Sequence, residues 1–511
     1  MSNASGAAAL VAQAGSGTVG SLFQASAAAN PAAIALDDGS RRITFATLDE
    51  RVNRTANMLA AHGIARGDRV AILSENRTEF VELQLAAAKL GAILACQNWR
   101  LAPPELQHCV SLVEPKIVIA STRHRGLLAE VDCGGVPMLE FGDAYEARLA
   151  EAESAPPPIA AQPEDGLLIL YTSGTTGLPK GAVLSHRAEI ARYLLIGSDF
   201  DLEPGDPFVA WPPLFHMGAT EPMLTTLLNG GTVFIVDGFD PVRIADIAIA
   251  HELGWLVLMP GAIEPLIAEL KQRNAKPKGV KLCGAMADLV PAHQIAEITT
   301  LLNAPYVNTF GATETGLPPA SRALIPVGQV PNRLSKTVNS FCEIRLVDPD
   351  HNDVADGEPG ELAIRGPTVF NGYWRAEETN AKDFRGGWFH MGDMFVRNPD
   401  GTLDFVDRVK YMIKSGGENI YPAEIERVLL SESRVADAVV VRRKDDKWGE
   451  VPVAVVARKD DSLTESELAA RCRESLAGYK QPKEIRFVAL DDLPRSTTGK
   501  IQRHEVEALL D

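Results

Sequence analysis

Ten consecutive residues, Thr172-Ser173-Gly174-Thr175-Thr176-Gly177-Leu178-Pro179-Lys180-Gly181, concentrate the chemistry needed to hold a polyphosphate. Glycines let backbone N–H groups turn toward an anion, hydroxyls add further donors, and Lys180 supplies a positive charge. The apolar run from Leu167 to Tyr171 reads as a buried strand leading into this loop. It is not a Walker A loop, because Lys180 follows Gly177 by three residues and no Ser or Thr comes after it. Five further strings carry reactive residue types: Phe310-Gly311-Ala312-Thr313-Glu314, Gly387-Trp388-Phe389-His390-Met391-Gly392-Asp393, Asp407-Arg408-Val409-Lys410, Ser415-Gly416-Gly417-Glu418-Asn419 and Pro494-Arg495-Ser496-Thr497-Thr498-Gly499-Lys500. Taken singly, each has an ordinary explanation. Glu314 could be a helix-start carboxylate, Asp393 a turn acid, and Lys500 a solvated surface lysine.

Taken together, in this order and approximate spacing, the motifs resemble the adenylate-forming superfamily of acyl-CoA synthetases, adenylation domains and luciferases over nearly the whole chain. The resemblance implies ATP/AMP contacts from Thr172, Ser173, Gly174, Thr175, Thr176, Gly177, Lys180, Gly284, Ala285, Phe310, Gly311, Ala312, Thr313, Asp393, Arg408 and Lys500. It further implies that Glu314 holds Mg²⁺, that Thr313 meets the α-phosphate, and that Lys500 bridges the substrate carboxylate and ATP. Thr313, Glu314 and Lys500 are therefore the expected catalytic residues. The chemistry is coherent: an anionic acid must approach a polyanionic nucleotide, so positioning and charge neutralisation dominate catalysis. One carboxylate completed by phosphate oxygens and water is an ordinary Mg²⁺ site. Asp393 has the acceptors to match a ribose diol, with Arg408 reaching the same sugar. Phe310 stands at the adenine-stacking position, where the family more often has Tyr; Met391 stands where Thr is common. Lys410 matches the hinge about which the family rotates its C-terminal domain, and Ser415, Gly416, Gly417 and Glu418 mark the approach of the pantetheine arm of CoA.

Pro213-Leu214-Phe215-His216-Met217-Gly218 resembles the acyl- and aryl-CoA ligase version of its motif. It places His216 beside the acid, with Met217, Met259 and Gly284 as further pocket positions. Amino-acid-activating relatives carry Asp where an α-ammonium must be paired, so an amino acid is not the expected substrate. Methionines adapt to irregular apolar shapes, which suits a medium-sized hydrophobic acid, aliphatic, alicyclic or aromatic. The expected activity is ATP-dependent acid:CoA ligation through an acyl-AMP. Transfer from acyl-AMP to a carrier protein, or a non-catalytic nucleotide-binding relative, remain the alternatives.

These groups need a large scaffold. From Thr44 onward strand and helix signals alternate, predicting an α/β fold of mainly parallel sheets covered by helices on both faces. Thr47 with Glu50 reads as a capping box, and a helix is expected from Thr78 to Leu90, closed by Gly91. Strands are expected over Arg69 to Ser74, Lys116 to Ser121, Thr232 to Asp237, Trp255 to Pro260 and Val280 to Cys283. After about Asp407 a small α+β unit follows, with a helix from Pro422 to Leu430 and strands over Val435 to Arg443, Val451 to Ala457 and Glu484 to Val488. The expected domains are a flexible tail 1–20, an AMP- and acyl-binding domain 21–408 that includes a small distorted barrel, a hinge 409–410, and a mobile C-terminal domain 411–511.

Two strings imitate function. Gly15-Ser16-Gly17-Thr18-Val19-Gly20 fits the dinucleotide pattern, with Asp37 at ribose distance, but no β-branched strand precedes it. Asp461-Ser462-Leu463 resembles a phosphopantetheine-bearing serine, yet no carrier-sized segment follows. Its expected role is a loop and helix cap, leaving free CoA as the acceptor.

With 50 Lys+Arg against 67 Asp+Glu, a formal net charge of -17 argues against coating nucleic acid or an anionic membrane. The 6 cysteines form no CxxC pair, no apolar run is long enough to span a membrane, and no basic segment precedes the Ala-rich start. A cytoplasmic protein is expected, working alone or as a homodimer, with ATP, CoA and a carboxylic acid as its small-molecule partners.

Overall fold

The computed structural model describes residues 16–172, 178–273, 275–416, 418–495 and 501–510. The chain forms two compact units, one running through Glu343 and including Ile364–Phe389, the other made of Ile344–Ala363 and His390–Asp511.

The first unit holds two helix-covered sheets. One has the order Met138–Glu140, Ile117–Ala120, Arg69–Leu73, Ile93–Cys96, Gly166–Thr172, Lys180–Ser185, and is parallel except for its last pair. Its inner strands are continuous apolar runs such as Ile-Val-Ile-Ala and Ile-Leu-Ala-Cys, buried along their length, as expected when both faces are covered. The other sheet runs Leu324–Ile325, Tyr306–Val307, Gly279–Cys283, Glu252–Leu256, Phe208–Ala210, Val233–Ile235, Ile34–Asp37, Arg42–Thr44, with antiparallel pairs only at its two edges. The helix Thr78–Leu90 occupies the expected residues, is buried throughout, and ends on Gly91 in the left-handed region.

Three expectations are corrected. The helix Phe45–Ala61 is capped by Thr44, whose hydroxyl accepts from Thr47 N–H, so the cap lies three residues before the expected one. Val52 and Leu59 still face the core. The strand expected over Trp255 to Pro260 runs instead over Glu252–Leu256, set by parallel pairing with Gly279–Cys283. Ordered structure also begins before Ser21: Thr18 and Ser21 form a capping box for the helix Val19–Ala29, with Val19 and Phe23 fully buried. Gly20 packs on the backbone of Ala88 and Lys89, so this glycine serves close helix packing. Asp37 accepts from Gly39 N–H at 2.8 Å and pairs with Arg42 at 3.0 Å, holding a hairpin turn.

In the second unit, Asp393 to Arg397 pair antiparallel with Leu403–Arg408. A further sheet has the order Glu418–Ile420, Ile413–Ser415, Gly449–Arg458, Val435–Asp445, with Glu484–Val488 parallel to Gly449–Arg458. The helices Pro422–Leu430 and Glu465–Ser475 cover it, burying Ile425, Leu429, Leu468 and Cys472 against Val440, Ala454 and Val456. The second helix has the expected Thr464–Glu467 capping box, and Ser462 lies in the loop before it. Asp407 accepts from Ala423 N–H in the first turn of the helix Pro422–Leu430. Among the described residues, no helix is long and apolar enough to cross a membrane.

Candidate active site

In the first unit the phosphate-loop string joins two antiparallel strands, with Thr172 opposite Lys180 and Tyr171 opposite Gly181. Ser173, Gly174, Thr175, Thr176 and Gly177 lie outside the described residues, as do Gly417 and Lys500. The strand Lys180–Ser185 is clasped on its other side by residues 371–374: Asn371 N–H donates to Val183 O and Trp374 N–H to Gly181 O. Ala182 is thereby bridged to Tyr373. This brings the Tyr373 ring under Lys180 Nζ, 4.9 Å from the ring centroid, while its hydroxyl donates to Glu314 Oε1 at 2.7 Å. Lys180 and Glu314, far apart in sequence, are thus joined through one aromatic side chain. Tyr373 escaped sequence reading; the Asn371-Gly372-Tyr373-Trp374 string with its paired aromatics was the available signal.

Glu314 is the middle residue of a tight turn between the short strands Gly311–Ala312 and Gly316–Pro319. Gly311 pairs with Pro319 and Ala312 with Gly316, and a Cβ at Gly311 would fall 1.9 Å from Gly316 O, so only glycine fits. Thr315 locks the turn by accepting from Ala312 N–H and donating to Pro318 O. Phe370 N–H caps Glu314 O at 2.8 Å. Thr313 O accepts from Arg192 Nη2 at 3.2 Å. Phe310 is half-buried, its N–H held by Ser321 Oγ at 2.8 Å. Gly284 and Ala285 are fixed nearby in the fold: Trp255 Nε1–H donates to Gly284 O, Tyr306 Oη–H to Ala285 O, and Met286 N–H to Thr309 Oγ1 beside Phe310.

His216 caps the helix Met217–Leu228, its Nδ1 accepting from Gly218 N–H at 3.1 Å. That acceptor role places the proton of the neutral ring on Nε2. Met259 reaches the same place, its methyl 3.5 Å from where a Gly218 side chain would begin. His216 and Met259 thus meet beside Gly218.

Beneath the Thr313–Glu314 turn lies a buried charge cluster that sequence reading also missed. Arg192 Nη1 is 2.5 Å from Glu221 and 3.5 Å from Glu189, all three being almost fully buried. Breaking such a pair costs about 3–5 kcal/mol. Burial pushes the Glu189 carboxyl up to about 8; the neighbouring Glu221 charge adds to the rise and Arg192 opposes it. Burial also raises Glu221, but its contact with Arg192 favours the charged form there, so Glu189 holds the proton. A carboxyl raised from 4.5 to about 8 on folding binds its proton more tightly in the native state. Its stabilising contribution is complete below the unfolded value, declines as pH rises from 4.5 to about 8, and stays lost above. Glu189→Gln should flatten the fall in unfolding free energy between pH 6 and pH 8, measured by urea denaturation at both values. An unaltered slope would show that Glu189 is not protonated in the native state.

In the second unit Asp393 faces Arg408 across the strand pair, and the guanidinium grips both carboxylate oxygens, Nε to Oδ1 at 2.8 Å and Nη2 to Oδ2 at 3.1 Å. A carboxylate has about four lone-pair sites, so this pairing leaves acceptor capacity for a diol. Asp407 accepts from Arg408 N–H and Ala423 N–H, both at 2.7 Å, and burial raises its pKa against the pull of Arg503. Lys410 lies in the short 3-10 turn Val409–Tyr411, its ammonium 4.8 Å from the Tyr411 ring centroid. Ser415 is paired with Glu418. Gly416 has φ 60°, and a Cβ there would meet the Trp448 indole at 2.6 Å. Trp448 thus packs against Gly416 within the unit.

A cation on a sheet strand and a carboxylate on a tight turn, joined through Tyr373 in a helix-covered α/β unit, have the chemistry of an enzyme that handles an anionic substrate. Residues 23–374 match the family model described as AMP-binding enzyme, and residues 424–500 match that of the AMP-binding enzyme C-terminal domain. The chain belongs to the AMP-binding enzyme family. It is 36% identical over 483 residues to a feruloyl-CoA synthase of Amycolatopsis sp, covering 93% of this chain and 96% of the relative. It is 35% identical over 492 residues to an indoleacetate–CoA ligase of Aromatoleum aromaticum, with 94% and 96% coverage. Among solved structures, the o-succinylbenzoate CoA synthetase of Bacillus subtilis in complex with its acyl-adenylate intermediate matches with a TM-score of 0.83 at 27% identity, covering 95% of this chain and 97% of the other.

Proposed function

We propose that the protein is an ATP-dependent acid:CoA ligase. In the first step the acid's carboxylate oxygen bonds to the α-phosphorus of ATP as the bond to pyrophosphate breaks, giving acyl-AMP. In the second, the CoA thiol sulfur bonds to the acyl carbon, the proton goes to solvent, and AMP leaves. The observation carrying this reading is the Lys180–Tyr373–Glu314 array beside the phosphate loop, a cation and a carboxylate held in one register.

Lys180 and the loop amides bind phosphate oxygens, Thr313 orients the α-phosphate, Phe310 stacks on adenine, and Asp393 with Arg408 holds the ribose. Glu314 would hold Mg²⁺. Among the described residues its carboxylate receives only the Tyr373 hydrogen bond, and a hard oxygen donor with lone pairs to spare fits that ion. Mg²⁺ supplies neutralisation of phosphate charge. His216 and Met259 border the acid, and this half-polar, half-thioether wall fits a medium-sized hydrophobic acid. The aryl acids in the names of the relatives support an aromatic member of that class. Supply of ATP and CoA makes a cytoplasmic location part of the proposal.

Pyrophosphate release should be screened across short, medium and long fatty acids, benzoates, cinnamates and alicyclic acids, with and without CoA. A medium-sized hydrophobic acid should give both pyrophosphate and a CoA thioester with AMP. Adenylate without thioester would indicate a carrier-protein acceptor, and acetate turnover matching that of every larger acid would remove the pocket assignment.

Lys410 is proposed as the hinge between the two half-reactions. Proline would fix φ near −65° at this turn residue. Lys410→Pro should therefore slow thioester formation about 10-fold more than adenylation, measured as separate half-reactions. An unchanged second step contradicts the assignment.

A further inference from the structure

Arg192 comes from the helix His186–Phe200, outside every motif of the site, yet it touches three of the segments that build it. Its side chain is 1% exposed. Nε donates to Thr368 O at 3.0 Å, Nη2 to Thr313 O at 3.2 Å, and Nη1 faces Glu221. Glu221 lies on the helix Met217–Leu228, which His216 caps. Two residues after Thr368, Phe370 N–H holds Glu314 O; three further on, the Tyr373 hydroxyl holds the Glu314 carboxylate. One planar guanidinium therefore joins the turn bearing Thr313 and Glu314, the segment bearing Tyr373, and the helix headed by His216.

We propose that Arg192 is a positioning residue for adenylation, fixing the Glu314 carboxylate through the carbonyls of Thr313 and Thr368 and tying it, through Glu221, to the helix at the acid pocket. The proposal rests on the ligase reading above. It needs the fork geometry of arginine: a guanidinium presents several donors in fixed directions, whereas an ammonium is a point charge that cannot satisfy both carbonyls and the carboxylate in the same plane. Groups that orient a metal-bearing carboxylate without touching the metal commonly set its affinity.

Binding of ATP to the full chain with and without Mg²⁺, followed by calorimetry, tests this directly. Arg192→Lys should reduce the Mg²⁺-dependent gain in ATP affinity about 10-fold, leaving metal-free ATP binding essentially unchanged. Pyrophosphate release should fall about 10²-fold, while reaction of supplied acyl-AMP with CoA is retained. An unchanged Mg²⁺-dependent gain, or equal loss of both half-reactions in the folded variant, overturns the proposal. Should Arg192→Lys fail to fold, Glu221→Gln decides, since its amide oxygen can still accept from Nη1 while the charge is lost. It should show the same pattern with smaller size, and behaviour identical to wild type, or equal loss of both half-reactions, overturns the proposal. A wild-type chain that releases no pyrophosphate with any acid would instead remove the ligase reading, while the ATP-binding comparison still decides the role of Arg192.

Discussion

Glu314→Gln should lower acid-dependent pyrophosphate release by roughly 10²–10³-fold, the range expected when one preorganised electrostatic partner of the reacting centre is lost. The substitution keeps the shape of the turn. Gly311 still fits against Gly316 O, Phe370 N–H still caps residue 314, and an amide oxygen can still accept from Tyr373. What disappears is the negative charge, so the Mg²⁺ concentration needed for half-maximal rate should rise while the melting temperature moves little. Tyr373→Phe provides the matching control. It keeps the aromatic face beneath Lys180 and removes only the hydroxyl that orients the carboxylate, so its loss should be about 10-fold, the low end for a group acting behind a metal ligand. Steady-state pyrophosphate release titrated with Mg²⁺ measures both. Glu314→Gln with wild-type Mg²⁺ dependence would remove Glu314 from the metal role, whatever its rate.

The contrast between Glu314 and Arg192 shows what sequence could and could not disclose. Glu314 sits in a contiguous string whose glycine and threonine neighbours each have a local reason to be there, so the string can be read without the fold. The same holds for Asp393 and Arg408, each embedded in its own string, although the register that sets them face to face exists only once the strands pair. Arg192 and Tyr373 act across 121 and 59 residues respectively, through a carbonyl and a hydroxyl, and nothing in their own neighbourhoods announces a partner. Periodicity behaved likewise. Strands buried on both faces and the helix Thr78–Leu90 were legible because burial on all sides leaves a continuous apolar record. The Thr44 cap was missed because Thr44 and Thr47 are equivalent to a capping rule, and only the hydrogen bond from Thr47 N–H distinguishes them. The start of the helix Val19–Ala29 was hidden in a Gly-, Ala- and Ser-rich stretch that reads as a flexible segment, until the backbone of Ala88 and Lys89 is seen to pack on Gly20.

Lys500→Ala should nearly abolish adenylation, by on the order of 10³-fold or more, the scale on which a cation delivered to a phosphoryl-transfer centre acts, while supplied acyl-AMP still reacts with CoA. The asymmetry follows from where charge develops. In the first half-reaction an anionic carboxylate closes on the α-phosphorus of a polyanion and negative charge moves onto departing pyrophosphate, so a cation must be brought to the meeting point. In the second, the mixed anhydride is already activated, the nucleophile approaches a carbonyl carbon, and AMP leaves as a stable phosphate monoester. A chain whose formal net charge is -17 offers no general attraction to ATP or CoA at long range, and screening would erase most of it at physiological ionic strength. The proposal therefore assigns affinity and catalysis to individual cations: Lys180 on its strand, Arg408 on its pair with Asp393, and Lys500 on the Ser-Thr-Thr-Gly-Lys string. The first two are locked by sheet register and are assigned by the proposal to ground-state binding, which both half-reactions share. Lys500 is the one assigned to the first step alone. Rapid-quench measurement of each half-reaction separates the roles: loss of thiolysis in proportion to adenylation would place Lys500 in nucleotide binding, and retention of adenylation would remove it from the reacting centre.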